Sequence, residues 1–379
     1  MKAFQIDVSQ EELDDLKMRL ENTRWTENPE DDEWRSGTNA NYLRKLVTYW
    51  KNGFDWRAQE AMLNSFPQFR TTVDGIELHF IYVKGKGSNA KPLILTHGWP
   101  DSFYRFYKVI PMLADPEAHG GNPDQSFDVV VPSIPGFGFS EKIALTDERI
   151  AGLWASLMKD ILGYNQYFAA GGDVGSGVSR LLANQFPDQV RAIHLTDVGY
   201  PDGTEDWRTM SPAEQDFGAF INRWWMTEGA YNMIQSTKPQ TLGYGLNDSP
   251  VGLAAWIVEK FHGWSDHQGN LENRFTKDEL LTNVMIYWVT RTINTSIRYY
   301  AVNARANFTE NGPKAAVKVE VPAAVACFPG DAPTPEEWAA RRVNLNRFKK
   351  FSRGGHFAPL EVPELYVDDL RAFFFELAV

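Results

Sequence analysis

The stretch that most restricts how this chain can fold is Tyr167-Phe168-Ala169-Ala170-Gly171-Gly172-Asp173-Val174-Gly175, followed by Ser176 to Leu182. It reads as a short apolar strand, a Gly-rich turn and a helix. Glycines two before and two after one carboxylate let a tight, strained backbone present that side chain at the carboxyl end of the strand. The 379 residues leave room for one large core with an insertion, or for two ordinary domains. A net charge of −11 argues against a nucleic-acid footprint and against an anionic membrane surface.

Along the chain, Ser9 and Glu12 have capping-box spacing, with Val8 and Leu13 as a hydrophobic staple. Leu13, Leu16 and Leu20 then mark one face of a helix ending near Asn22. Residues 24–70 carry Trp25, Trp34, Tyr49, Trp50, Phe54, Trp56, Phe66 and Phe69 without strand alternation, which predicts a segment that wraps over the core. Core aromatics of a small independent domain would give the same composition. From Thr71 the pattern turns to strands. A hairpin is expected around Asp74-Gly75, and near-continuous apolar runs at Pro92–Thr96 and Phe127–Val131 suit strands covered on both faces. Helical stretches near 102–113 and 147–162 alternate with these strands, and a further strand follows at Val190–Val198. This alternation predicts a mostly parallel, doubly wound α/β sheet. Residues 201–304 are aromatic-rich and helical in period, an inserted cap. The alternation resumes at Ala323–Phe328 and ends in a helix after Pro363. The expected division is therefore an N-terminal segment 1–70, a core of 71–200 and 305–379, and a cap of 201–304.

A strand–turn–helix with glycines framing one reactive residue is the nucleophile elbow of the α/β-hydrolase fold. Here Asp173 stands where an esterase carries serine. The fold supplies its partners in the order nucleophile, acid, histidine. Of the histidines after Asp173, His194 lies mid-strand as a core residue, and His262 and His267 fall on the insertion's surface. His356 sits in Arg353-Gly354-Gly355-His356-Phe357-Ala358-Pro359, a Gly-rich loop before the last helix, where the catalytic histidine is expected. Asp331, in Phe328-Pro329-Gly330-Asp331, places a carboxylate just beyond a strand, although Asp after Pro-Gly is also a routine turn residue. The loop His97-Gly98-Trp99-Pro100 would give one oxyanion-hole N–H from Trp99, the other coming from Val174. His97 precedes the elbow and reads as structural.

These motifs resemble the microsomal and juvenile-hormone-type epoxide hydrolases. So do Phe54-Asp55-Trp56-Arg57, Phe66-Pro67-Gln68-Phe69, the run Pro132 to Ser140, Thr237-Lys238-Pro239, and the run Asn247 to Ala255. The resemblance covers nearly the whole chain. Three departures stand out: no apolar anchor at the start, Val174 where tryptophan is common, and Asp101 where glycine is common. The resemblance implies two cap tyrosines facing the nucleophile, Tyr231 and Tyr300, with Tyr299 as the alternative to the latter. It also implies substrate contacts from Trp99 and Pro100.

The expected activity is hydrolysis of a small, apolar epoxide with no cofactor or metal, no nucleic acid and no membrane, with a homodimer left open. A single cysteine, Cys327, excludes an internal disulfide and suits a cytoplasmic protein. Two alternatives use the same scaffold. A haloalkane-type dehalogenase would form the same aspartyl ester but needs N–H donors for its halide. A non-catalytic binding homologue would have no need of a full set of reactive groups.

Overall fold

The computed structural model describes residues 1–27, 33–309, 312–314 and 316–377. The chain opens with β1 (Lys2–Phe4), α1 (Gln10–Glu21), α2 (Ala40–Asn52) and α3 (Trp56–Asn64). Ser9 caps α1 by accepting the N–H of Glu12, and Asn39 and Asp55 cap the next two helices in the same way. The strands β2 (Gln68–Val73) and β3 (Ile76–Val83) form the hairpin. Asp74 and Gly75 both take positive φ, 47° and 81°, which matches the twist of the strands they join.

The parallel part follows as β4 (Lys91–Thr96), α4 (Val109–Ala114), β5 (Phe127–Pro132), α5 (Asp147–Ser156), β6 (Tyr167–Gly171), α6 (Val174–Gln185) and β7 (Val190–Leu195). Every residue of β5 and β6 is buried, because helices cover the sheet on both faces. Next come six helices: α7 (Pro212–Thr227), α8 (Ala230–Thr237), α9 (Pro239–Asp248), α10 (Pro250–Gly263), α11 (Lys277–Thr290) and α12 (Ile293–Asn307). A two-residue pair, β8 (Phe308–Thr309) and β9 (Gly312–Pro313), leads back to β10 (Val319–Cys327), α13 (Glu336–Arg342), β11 (Val343–Lys350), α14 (Ala358–Glu361) and α15 (Pro363–Glu376). The large sheet has the order β1-β2-β3-β5-β4-β6-β7-β10-β11, antiparallel from β1 to β5 and parallel from β5 to β11. Its parallel strands all point their carboxyl ends towards α7–α12, so the loops after β4, β6, β7, β10 and β11 meet there.

The N-terminal segment differs from expectation in two respects. It supplies the edge strand β1 and the start of β2, so the sheet begins before residue 71. Three residues are too few for a period-2 pattern to register in the sequence. Its helices also rest on the insertion more than on the core. Helices α1 and α2 touch α10, and α2 and α3 touch α11. Trp34 stacks on His262 at 4.0 Å, Tyr49 Oη donates to Asp278 Oδ1 at 2.8 Å, and Arg19 pairs with Asp248 at 2.8 Å. The cause is visible in α11, which is buried around most of its circumference and therefore needs cover on its outer side too. At the other end of the insertion, α12 continues through Asn307, past residue 304.

Candidate active site

Asp173 closes β6 and opens α6 with φ 58° and ψ −127°, a backbone conformation that costs a non-glycine residue about 1–3 kcal/mol. Two contacts hold it there. A Cβ on Gly175 would collide with the Thr96 carbonyl, so only glycine lets α6 start this close to β4. The Asp173 N–H donates to Asp197 Oδ2 at 2.8 Å, a carboxylate just past the end of β7. Asp173 thus stands up from the sheet with its carboxylate reaching the Trp99 N–H at 2.8 Å through Oδ1 and hydrogen-bonded by the Val174 N–H.

The loop after β4 is shaped around this carboxylate. Gly98 has no room for a Cβ because Asp173 occupies the space. Its N–H donates to Asp101 Oδ1 at 2.8 Å, and Asp101 forms a fully buried ion pair with Arg105. The Arg105 Nη2 in turn donates to the His356 carbonyl at 2.6 Å. Asp101, which stands where glycine is common, therefore ties the loop after β4 to the backbone of the histidine. His97 is fully buried, accepts the Ile134 N–H at Nε2 (3.1 Å) and uses Nδ1 on the Gly98 carbonyl (2.9 Å). Burial pulls its pKa down to about 4, so it is a neutral structural group.

His356 is reached through two stitched loops. Gly330 N–H donates to Gly354 O at 3.0 Å, and the His356 N–H donates to Trp264 O at 2.8 Å. Its Nδ1 lies 3.0 Å from Asp331 Oδ2, and its Nε2 faces Asp173 Oδ2 at 3.7 Å. The spacing is too long for a direct hydrogen bond. His194 pairs instead with Asp369 at 3.0 Å in the core, and neither it, His262 nor His267 lines the cavity at Asp173.

The charges follow from this placement. Burial raises Asp173 to about 6 against the pull of His356 and the two N–H groups. Burial also pushes His356 down, but Asp331 and Asp173 together outweigh it and carry it up to about 9. For Asp331, burial opposes ionisation, and the His356 charge and hydrogen bond overcome it, leaving the carboxyl below its usual range. At neutral pH both carboxylates are ionised around an imidazolium.

Above Asp173 a cavity of about 820 Å³ opens, lined by Val174, His356 and Asp331 below and by Trp224, Tyr231, Trp264 and Tyr300 among others above. Tyr231, on α8, stacks on the Trp99 ring at 5.4 Å, and Tyr300, on α12, meets both rings edge-on at 5.9 and 6.2 Å. Tyr299 also lines the cavity, but its hydroxyl is engaged with Asp147. Tyr231 and Tyr300 pack against each other on the cavity wall.

The substrate contacts expected of Trp99 and Pro100 gain no support from the lining of the cavity. The Trp99 ring is wholly buried behind the two tyrosines, and Pro100 is buried with its carbonyl on Asn283 Nδ2 at 2.8 Å. Neither side chain lines the cavity. The backbone N–H that Trp99 presents and the ring it buries point to different neighbours, which sequence alone does not separate.

With this geometry established, the likeness to known proteins is specific. Residues 1–106 match the family model described as epoxide hydrolase N terminus, and residues 91–243 match the alpha/beta hydrolase fold. Pig epoxide hydrolase 1 is 39% identical, over 98% of this chain and 88% of its own. The chain belongs to the epoxide hydrolase family. Among solved structures, the Aspergillus niger epoxide hydrolase superposes with a TM-score of 0.86 at 32% identity, covering 100% of this chain and 96% of that one. The juvenile hormone epoxide hydrolase of the silkworm Bombyx mori gives 0.82 at 31%, with 97% and 92% covered. The fold is the α/β-hydrolase fold of this family, with a mostly parallel central sheet.

Among the described residues, no helix is long and apolar enough to cross a membrane, and no cluster of three or more His, Cys, Asp or Glu could hold a metal ion. Residues that the sequence did not single out also build the site. Asp197 anchors the elbow, Arg105 anchors His356, and Trp264 sets its edge against the imidazole at 5.1 Å. Asp197 acts across 24 residues and Arg105 across 251, and none of the three carries a local motif.

Proposed function

We propose that this epoxide hydrolase opens small, apolar epoxides to vicinal diols through a covalent ester on Asp173. The observation that carries the reading is the opposition of charges and phenols: an ionised carboxylate on the elbow, with Tyr231 and Tyr300 across an aromatic cavity. An epoxide carbon is attacked from the face opposite its oxygen, so it needs a nucleophile on one side and an acid on the other. Asp173 Oδ2 is the oxygen not engaged by Trp99, and it forms the bond to carbon. The C–O electron pair moves to the ring oxygen, which takes a proton from the tyrosine pair.

Esterification removes one of the two negative charges that keep His356 protonated. The imidazolium then releases its proton to solvent more readily, and the neutral ring can act as a base, held by Asp331 in the tautomer that leaves Nε2 free. Water adds to the ester carbon and gives its proton to Nε2. The oxyanion forms on Oδ1, which the Trp99 N–H meets, with the Val174 N–H also bonded to this carboxyl group, each such donor being worth about 3–4 kcal/mol in acyl chemistry. Collapse expels the diol alkoxide, which takes the proton from His356; the carboxyl proton of Asp173 returns to the phenolate, and His356 regains a proton from solvent to restore the resting state.

One turnover in oxygen-18 water with enzyme in excess tests this. The first diol should be unlabelled, because its new oxygen comes from Asp173. Label in that diol would mean direct attack by water and would end the proposal. Halide release from chlorinated alkanes without any epoxide turnover would favour the dehalogenase instead.

A further inference from the structure

Lys260 lies on α10 and is 4% exposed. Lysine is almost never buried to this degree unless it is paired. Its ammonium is paired with Glu259 Oε2 at 2.6 Å, and it also sits over the Tyr231 ring, 4.6 Å from the centroid, and 5.6 Å from the centroid of Trp264. A methionine or leucine would fill this space without desolvating a charge, so packing alone gives no reason for an ammonium here.

The electrostatics around Tyr231 supply one. Burial is the main force holding its phenol above the ordinary range, and the Asp173 and Glu259 carboxylates add to it. Each of these makes it harder for the oxygen to take on negative charge, against the easing effect of its hydrogen bonds with Tyr300 and Asn232. Among the described residues, Lys260 is the one cation over this ring, and none lies over Tyr300. The two tyrosines therefore face the same substrate oxygen in unlike fields.

We propose that Lys260 is an electrostatic positioning residue, whose charge over Tyr231 stabilises the phenol as it gives its proton to the epoxide oxygen. Tyr231 is then the proton donor of the pair, and Tyr300 contributes a hydrogen bond. The inference rests on the epoxide-opening reading and concerns only its first step. Glu259 keeps the ammonium in place over the ring.

The test separates the two half-reactions by rapid-mixing tryptophan fluorescence with a styrene-type epoxide. Lys260→Met should slow ester formation roughly 10- to 100-fold, a share of the 10²–10⁴ that a general acid provides. Ester hydrolysis should change by less than about threefold, because His356 and Asp331 are untouched. Lys260→Arg, which restores the charge, should recover most of the rate. In a Tyr231→Phe background Lys260→Met should add less than about twofold, since the group it acts on is gone. Equal slowing of both half-reactions, or full additivity with Tyr231→Phe, would assign Lys260 a packing role and overturn the inference. If Lys260→Met does not fold, Tyr231→Phe and Tyr300→Phe decide the matter. The inference requires the larger loss at Tyr231, and equal losses defeat it. Wild-type enzyme that forms no ester at all would defeat the proposed function itself, a result distinct from any of these.

Discussion

On the sheet side of the cavity, each reactive atom is fixed by a hydrogen bond to backbone or to a buried charge. Asp173 is held by Trp99 N–H and through its own N–H by Asp197, and His356 is held by Asp331, Trp264 O and Arg105. On the cap side, Tyr231 and Tyr300 are located by ring packing against Trp99 and each other. Directional bonds fix a position within a few tenths of an ångström and fail when one partner is lost. Ring packing is looser and depends on volume, so it can follow an epoxide oxygen whose position varies with substituents. On the proposed mechanism, the sheet side defines the reaction and the cap side adapts it to substrate.

The comparison can be broken most severely at the nucleophile. Asp173→Asn keeps the shape but removes the attacking charge, and turnover should fall by about 10⁴ or more with no ester detectable by intact mass. His356→Ala should lose roughly 10³-fold in turnover yet accumulate the ester, seen as a mass increase equal to one substrate. An unmodified protein after incubation with epoxide would contradict the division of labour between Asp173 and His356.

Acid should dissect the same wall. Ester formation needs Asp173 ionised, so its rate should be lost as pH falls through about 6. Hydrolysis needs His356 neutral, and its rate should rise with pH, with a midpoint below the resting value of about 9 because the ester has removed the Asp173 charge. A midpoint for hydrolysis at or above 9 would show that Asp173 does not hold the proton on His356.

On the cap side, Tyr300→Phe should slow ester formation roughly tenfold or more, while Tyr299→Phe, whose hydroxyl serves Asp147, should change it by less than about threefold. A reversed order would exchange the roles of the neighbours. Smallest of all, Tyr49→Phe on the N-terminal segment removes one half-buried hydrogen bond to Asp278. It should cost about 1 kcal/mol and lower the melting temperature by roughly 1–2 °C with turnover unchanged.

The two walls were also unequally legible. Asp173, Asp331 and His356 each sit in a short motif just past a strand, and strand order limits which loops can meet, so residue type and position sufficed to nominate them. Tyr231 and Tyr300 had no such signal among 14 tyrosines and rested on the family resemblance alone. Trp99 was assigned a lining role because a backbone donor and a side-chain contact look identical in sequence. Asp101 appeared to be an irregularity, yet it is half of a buried ion pair whose other half, Arg105, lies one helical turn on. Its link to His356 spans 251 residues and leaves no local trace. β1 escaped notice because three residues pairing across 66 positions carry no period.

The N-terminal helices grip α10 and α11 from outside, while the strand that precedes them is stitched to the sheet. Lifting α10 and α11 away would mean peeling that segment off as well, so these two cap helices are tied to the sheet through the N-terminal segment. With this side of the cap so tied, a diol is expected to leave through gaps between side chains. Bulky products should depart more slowly than they form, and for a homologous series of epoxides the ceiling on turnover should track the girth of the diol even where the ring-opening rates are alike.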